Sequence, residues 1–210
     1  MAHIILLGDS IFDNGPYVKE GGTTLDELEA RLPSGSTATL LAVDGSVTTQ
    51  VRDQLPEIPK SATHLVISSG GNDALMQQSL LAEDVSNAAE VFLALGAAAR
   101  QFEADYRDLL RTALETDLPV IVCTIYNGNF PNLETSIVTA TALTPFNDAI
   151  IRVAWEYKLP IIDLRVVCDR PEHYANPIEP STAGSARIAE AILRTIERMS
   201  ATSQSCSKSD

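Results

Sequence analysis

Short apolar runs alternate along the chain with longer stretches in which apolar residues return every three or four positions. The runs are His3 to Leu7, Thr37 to Val43, Thr63 to Ser69, Pro119 to Thr124 and Pro160 to Leu164. Short apolar runs rich in β-branched residues and closed by turn residues predict buried strands. Pro119-Val120-Ile121-Val122-Cys123-Thr124 has no charged break, as in a strand covered on both faces. Between the runs the spacing predicts helices. Leu25, Leu28 and Leu32 fall at i, i+3 and i+7 behind a capping box of Thr24 and Glu27, and Pro33 with Gly35 closes that helix. Val47 to Leu55 is a short helix and Ser86 to Thr116 a long one. Pro145 to Tyr157 carries Phe146, Ile150, Val153 and Ala154 on one side. Ser181 to Met199 carries Ile188, Ile192 and Ile196 at i, i+4 and i+8. Tyr126 to Thr141 reads as a polar insertion at the mouth of any pocket beyond the fourth strand. Ala201 to Asp210 reads as a polar, Ser-rich tail expected to be disordered.

Strands that alternate with helices predict an α/β fold, a parallel sheet with helices on both faces. Right-handed crossovers then put every carboxyl end of a strand on one edge, where open sheets bind their ligands. Three of the predicted ends carry Ser10, Gly45 and Asn72.

Composition narrows the partners. The 210 residues, 45% hydrophobic, fit a single domain over residues 1–200, with no internal repeat or linker. Fifteen basic against 28 acidic residues give a net charge of −13. That excludes a nucleic-acid partner, which needs a basic face, and disfavours an anionic membrane surface. No basic segment precedes an apolar leader, and no run reaches the ~18 apolar residues of a membrane span. The three cysteines, Cys123 and Cys168 at predicted strand ends and Cys206 in the tail, have no metal-type spacing. A cytoplasmic protein with reduced thiols and a small-molecule partner is expected, without cofactor or metal. Asp13 and Asp73 share the predicted sheet edge with Glu179, as carboxylates scatter in any acidic protein. Arg52 reads as a solvated helix-face residue.

Acyl transfer needs a nucleophile and preorganised donors for an oxyanion. Ser10, in Gly8-Asp9-Ser10, supplies a hydroxyl just past the first strand, with Asp9 capping the turn. Its own N–H, the N–H of Gly45 and the amide of Asn72 can supply donors. Each could be an ordinary turn or cap residue alone; together, each past a separate strand, they form a constellation.

With these motifs the chain resembles the SGNH (GDSL-type) hydrolases, a family of esterases and lipases. Gly8-Asp9-Ser10 matches the first block, Asp44-Gly45 the second and Gly70-Gly71-Asn72-Asp73 the third. Pro180 and Gly184 align the last, so the match runs from Ala2 to Ser200. The resemblance implies a three-layer, flavodoxin-like α/β/α fold with a five-stranded parallel sheet. It implies Ser10 as nucleophile of an esterase acting on a small acyl ester or an O-acetylated carbohydrate, with Ser10 N–H, Gly45 N–H and Asn72 as oxyanion hole.

One block departs. Where the family has Asp-x-x-His-Pro, this chain has Asn176-Pro177-Ile178-Glu179-Pro180. Three readings follow. In the first, Glu179 replaces the histidine as base, with Asn176 as the donor a carboxylate wants behind it. Alternatively the fold is kept, hydrolysis is weak or lost, and the pocket binds an acyl or glycosyl ligand. Or His173, four residues after Asp169 in what reads as a solvent-facing loop, serves instead. His3 and His64 stand at the amino ends of strands, on the opposite edge.

Overall fold

The computed structural model describes residues 1–19, 21–81, 84 and 86–206, with side chains through 201. Strand β1 spans His3–Gly8, β2 Thr37–Leu40, β3 His64–Ser68, β4 Val120–Cys123 and β5 Ile161–Ile162. They form one parallel sheet in the order β2-β1-β3-β4-β5, with Ile5 opposite Thr39 on one side and Leu65 on the other. The helices are α1 (Thr24–Glu29), α2 (Thr48–Arg52), α3 (Gly71–Leu75), α4 (Ala88–Leu114), α5 (Leu133–Glu156), α6 (Leu164–Val167) and α7 (Thr182–Cys206).

Side chains alternate across a strand, so one strand feeds two cores. Ile5, Leu7, Leu65, Ile67, Val120 and Val122 pack with Phe102, Tyr106, Leu109 and Leu110 of α4 and Phe146 and Ile150 of α5. Ile4, Leu6, Val66 and Ile121 pack on the other face with Leu28 of α1 and Ile188 and Ile192 of α7. The result is three layers, α/β/α. Every residue of β1 from Ile4 to Leu7 is fully buried, and each such side chain contributes about 1.5–3 kcal/mol of transfer free energy.

Several elements depart from the sequence expectation, each for a local reason. The cap of α1 is Thr23 with Asp26, one residue earlier than expected. Thr24 is turned inward instead: it is fully buried and its hydroxyl donates to Ile11 O at 2.9 Å. The stretch expected as an insertion up to Thr141 is helical from Leu133, capped by Asn132, whose Oδ1 accepts from Glu134 N at 2.7 Å. Pro145 therefore lies inside α5 rather than starting it. The Thr- and Ala-rich first half of α5 has no apolar periodicity to reveal a helix. Helix α7 runs to Cys206, through part of the expected tail, because no Gly or Pro stops it; residues 207–210 lie outside the described residues. Cys168 caps the end of α6 rather than ending a strand, and Cys123 and Cys168 are buried free thiols.

The start of α7 approaches the chain before it very closely. An isolated antiparallel bridge pairs Tyr174 with Pro180, and Ser181 N donates to His173 O at 3.0 Å. A Cβ on Gly184 would lie 2.1 Å from His173 O. We therefore expect Gly184→Ala to force the bridge and the helix apart, costing about 2–4 kcal/mol against the ~0.5–1 kcal/mol gain of an ordinary helical Gly→Ala change. Urea unfolding of the two proteins measures the difference.

Candidate active site

The carboxyl ends of β1, β2 and β3 converge on one edge, and a web of buried polar groups fixes what lies beyond them. Gly8 at the end of β1 is held at both peptide groups by Gln54: its N–H donates to Oε1 at 2.9 Å and its carbonyl accepts from Nε2 at 2.8 Å. The chain then makes one tight turn, in which Phe12 N and Asp13 N donate to Asp9 O and Ile11 N donates to Asp9 Oδ1. Ser10 sits on this turn and is buried.

Asn14 ties that turn to the far end of the chain. It is fully buried; Nδ2 donates to Pro180 O at 3.2 Å and Ser185 Oγ at 2.8 Å, while Oδ1 accepts from Thr24 N at 3.0 Å. This one amide joins the Ser10 turn to the residue after Glu179. Asn176 acts on the same segment: its Oδ1 accepts from Ile178 N at 2.9 Å and Glu179 N at 3.0 Å. Its contact with Glu179 is thus through the main chain, and no hydrogen bond from Asn176 to the Glu179 carboxyl is formed among the described residues.

The second and third blocks are bound together as well. Gly45 has φ +79°, and a Cβ there would meet nothing within 4 Å. Backbone conformation, not crowding, calls for glycine. Asn72 Nδ2 donates to Ser46 O at 3.0 Å, leaving its other N–H free. Asp73 Oδ2 accepts from Thr48 N and Thr48 Oγ1 at 3.0 and 2.9 Å, and Thr48 Oγ1 lies 2.8 Å from Ser69 Oγ. Among the described residues, neither Ser10 N–H nor Gly45 N–H donates to a protein acceptor.

Ser10, Asn72 and Glu179 border a single cavity of about 610 Å³, together with Asp9. Its other walls are largely apolar: Leu75, Leu80, Leu95, Ile125, Phe130, Leu143 and Phe146. Gly45 and Asn176 do not border it. Tyr126, Asn127, Gly128, Thr135 and Thr139, from the segment expected at the mouth, also border it.

Electrostatically the site is acidic. Glu179 is buried, and Oε2 has no hydrogen-bond partner. Burial raises its pKa to about 7; the nearby Ser10 hydroxyl lowers it, without closing a hydrogen bond to Oε2, and Asp44 raises it further. Asp9 is raised to about 7 as well, mainly by burial, against the opposing Ile11 N–H, with Glu179 and Asp73 adding repulsion. Tyr17 donates to Asp44 Oδ2 at 2.8 Å, and that bond with burial pushes its phenol to about 12. Among the described residues, no group of three or more His, Cys, Asp or Glu side chains could hold a metal ion.

His173 is not in a solvent-facing loop. It is buried in the single turn Pro171–His173, where Nδ1 accepts from Arg170 N at 3.2 Å, and it does not border the cavity. His3 and His64 open β1 and β3, away from this edge, and Arg52 is exposed. Sequence reasoning passed over Asn14, Thr48 and Gln54. A polar side chain signals its role only through partners distant in sequence, so no local pattern could have found them.

Residues 6–187 match the model of the GDSL-like lipase/acylhydrolase family. Comparison with curated proteins finds no match. Among solved structures, a lipase, Lip_vut3, from a goat rumen metagenome superposes with a TM-score of 0.72 at 20% identity, over 93% of this chain and 97% of that one. An extracellular lipase of Streptomyces rimosus gives 0.67 at 15%, over 94% and 99%. An acetyl xylan esterase, AlAXEase, gives 0.68 at 16%, over 92% and 99%. At these identities the likeness is one of fold. No helix among the described residues is long and apolar enough to cross a membrane.

Two carboxyls with raised pKa make stability depend on pH. The folded protein holds protons on Asp9 and Glu179 up to about 7, while the unfolded chain releases them near the ordinary values of 3.8 and 4.5. The native state therefore binds more protons in between, and stability falls as pH rises through that window. Urea unfolding at pH 5 and pH 8 should show wild type losing more stability across the interval than Asp9→Asn or Glu179→Gln.

Proposed function

The chain belongs to the GDSL-like lipase/acylhydrolase family, and from that premise we propose that it hydrolyses carboxylic esters whose acyl group enters the apolar cavity. Ser10 is the nucleophile and Glu179 the base. The observation that carries this reading is the Glu179 carboxyl: buried next to Ser10, free of any hydrogen bond at Oε2, with a pKa of about 7. A glutamate at its usual ~4.3 is a weak base for a hydroxyl, whereas one near 7 is matched to neutral pH.

In this mechanism Ser10 Oγ attacks the ester carbonyl carbon while its proton passes to Glu179. The oxyanion takes hydrogen bonds from Ser10 N–H, Gly45 N–H and the Asn72 N–H that Ser46 O leaves free. Collapse expels the alcohol, which leaves with the proton from Glu179. Water then attacks the acyl-serine, with Glu179 again accepting the proton, and returns Ser10. Asn176 serves as a positioning residue by holding the main chain of Glu179. The cavity favours one of the expected substrates. Its volume lies within the range of sites for drug-sized ligands, far more than an acetyl group fills, and its walls are apolar. An acyl chain longer than acetyl suits it better than an O-acetylated carbohydrate. The soluble, cytoplasmic setting expected from the sequence belongs to the same proposal.

The open contact between Ser10 and Glu179 Oε2 favours a second reading, a protein that binds an acyl ligand with little turnover.

Hydrolysis of p-nitrophenyl acetate, butyrate and octanoate separates the two. For an enzyme, wild type acts faster on the longer esters, and Ser10→Ala and Glu179→Gln each lose at least 10²-fold, about 2.7 kcal/mol of barrier. Because Glu179 must be ionised to act, kcat/KM rises with pH through about 7 and levels above it. Wild type no faster than Ser10→Ala marks the binding protein. A narrowing of the cavity gives an independent check: Ala142→Phe, on its wall, should slow octanoate hydrolysis at least tenfold while leaving acetate hydrolysis within about twofold.

A further inference from the structure

Around the mouth of the cavity stand large apolar side chains that neither core uses. Met76, Leu81, Phe92, Leu93, Leu133 and Ile137 are between 52% and 75% exposed. They come from the end of α3, the turn Gln78–Leu81 and the first turns of α4 and α5. These same short stretches turn their other residues into the cavity: Leu75, Leu80, Val91, Leu95, Thr135 and Thr139. The apolar wall of the site thus continues outward onto the surface. Scattered exposed apolar residues need no explanation, but a group gathered at one rim does.

We propose that this rim docks the protein on an uncharged or zwitterionic lipid surface, from which acyl chains pass directly into the cavity. Two observations choose this occupant. The first is charge. No Lys or Arg occurs anywhere in residues 61–99 or 112–151, the segments that supply the rim, whereas Asp84, Glu90 and Glu134 do. A surface of anionic lipids is attracted by basic residues and would be repelled here. The second is continuity. A protein partner fixed on the rim would seal the mouth of the cavity, while a lipid surface covers the rim and offers the ligand at once.

The inference rests on the ester-hydrolase reading for its purpose, and the experiment keeps the two apart. The full chain is floated with vesicles of phosphatidylcholine and with vesicles containing 30% phosphatidylglycerol, and its hydrolysis of the soluble p-nitrophenyl butyrate is measured in parallel. The comparison variant is Phe92→Ser/Leu93→Ser, exposed positions outside the cavity lining. The expected result is that wild type floats with phosphatidylcholine, that phosphatidylglycerol weakens this, and that the variant loses at least tenfold in vesicle binding while keeping its butyrate hydrolysis. Vesicle binding with no butyrate hydrolysis upholds the docking surface and removes the hydrolase. Failure of wild type to float, equal flotation of the variant, or stronger flotation with phosphatidylglycerol overturns the docking surface. So does a mass in light scattering that is doubled for wild type and single for the variant, which assigns the rim to a second copy of the chain.

Discussion

One buried amide holds the two ends of the candidate site together. Asn14 follows the Ser10 turn directly, yet its side chain reaches Pro180 O and Ser185 Oγ, 166 and 171 residues further along the chain. A fully buried amide left without partners would cost about 1–3 kcal/mol for each group stranded. The chain can avoid that cost only by bringing the start of α7 up against the turn after β1. Once it does so, Glu179, just before Pro180, is carried to the cavity that Ser10 also borders. The close approach of Gly184 to His173 O works in the same direction, since no larger residue would let α7 start so near the bridge. Placement of the carboxyl is therefore a consequence of backbone and amide geometry set well outside the cavity.

That placement opposes stability. A carboxyl buried without a hydrogen bond at one oxygen is held at a cost, and the same desolvation raises its pKa toward the value that the base role proposed for it calls for. Asp9 shares the cost, being buried close enough to Glu179 to feel its charge. The two cores on either face of the sheet must supply the compensating free energy. The continuous apolar runs of β1, β3 and β4 are consistent with that demand.

The strands were legible in the sequence because each is a short unbroken apolar run ended by a turn, and a strand end marks the binding edge without knowledge of any contact. Ser10, Gly45 and Asn72 could be picked out for that reason. Helices were less legible where packing overrides pattern. The first half of α5 is rich in Thr and Ala, and a proline at 145 reads as a start when only local rules are applied. The cap of α1 moved by one residue because Thr24 makes its bonds inward to Ile11 and Asn14. His173 looked solvent-facing in a polar stretch but is buried by the antiparallel bridge around it, a contact no periodicity announces. The roles of Gln54, Asn14 and Thr48 depend wholly on tertiary partners. The cavity, too, was invisible, since its walls come from segments on both sides of the sheet edge.

The acidity of the site bears on why a carboxylate base suits it. A neutral imidazole that takes the serine proton becomes a cation while the oxyanion forms, so charge is separated and the cation needs an anion behind it. Glu179 in the proposed mechanism starts as an anion and ends neutral, so a single negative charge moves from the carboxylate to the oxyanion. In an apolar cavity of low dielectric, moving a charge between two prepared sites costs less than creating a pair. Asp9 feels the charge of Glu179, and Asp44 repels it. Taking up the proton relieves that repulsion as the oxyanion develops among the three N–H donors. The residue behind the base then has no cation to neutralise. An amide that holds the main chain, as Asn176 does, is sufficient where an aspartate would add another unfavourable charge.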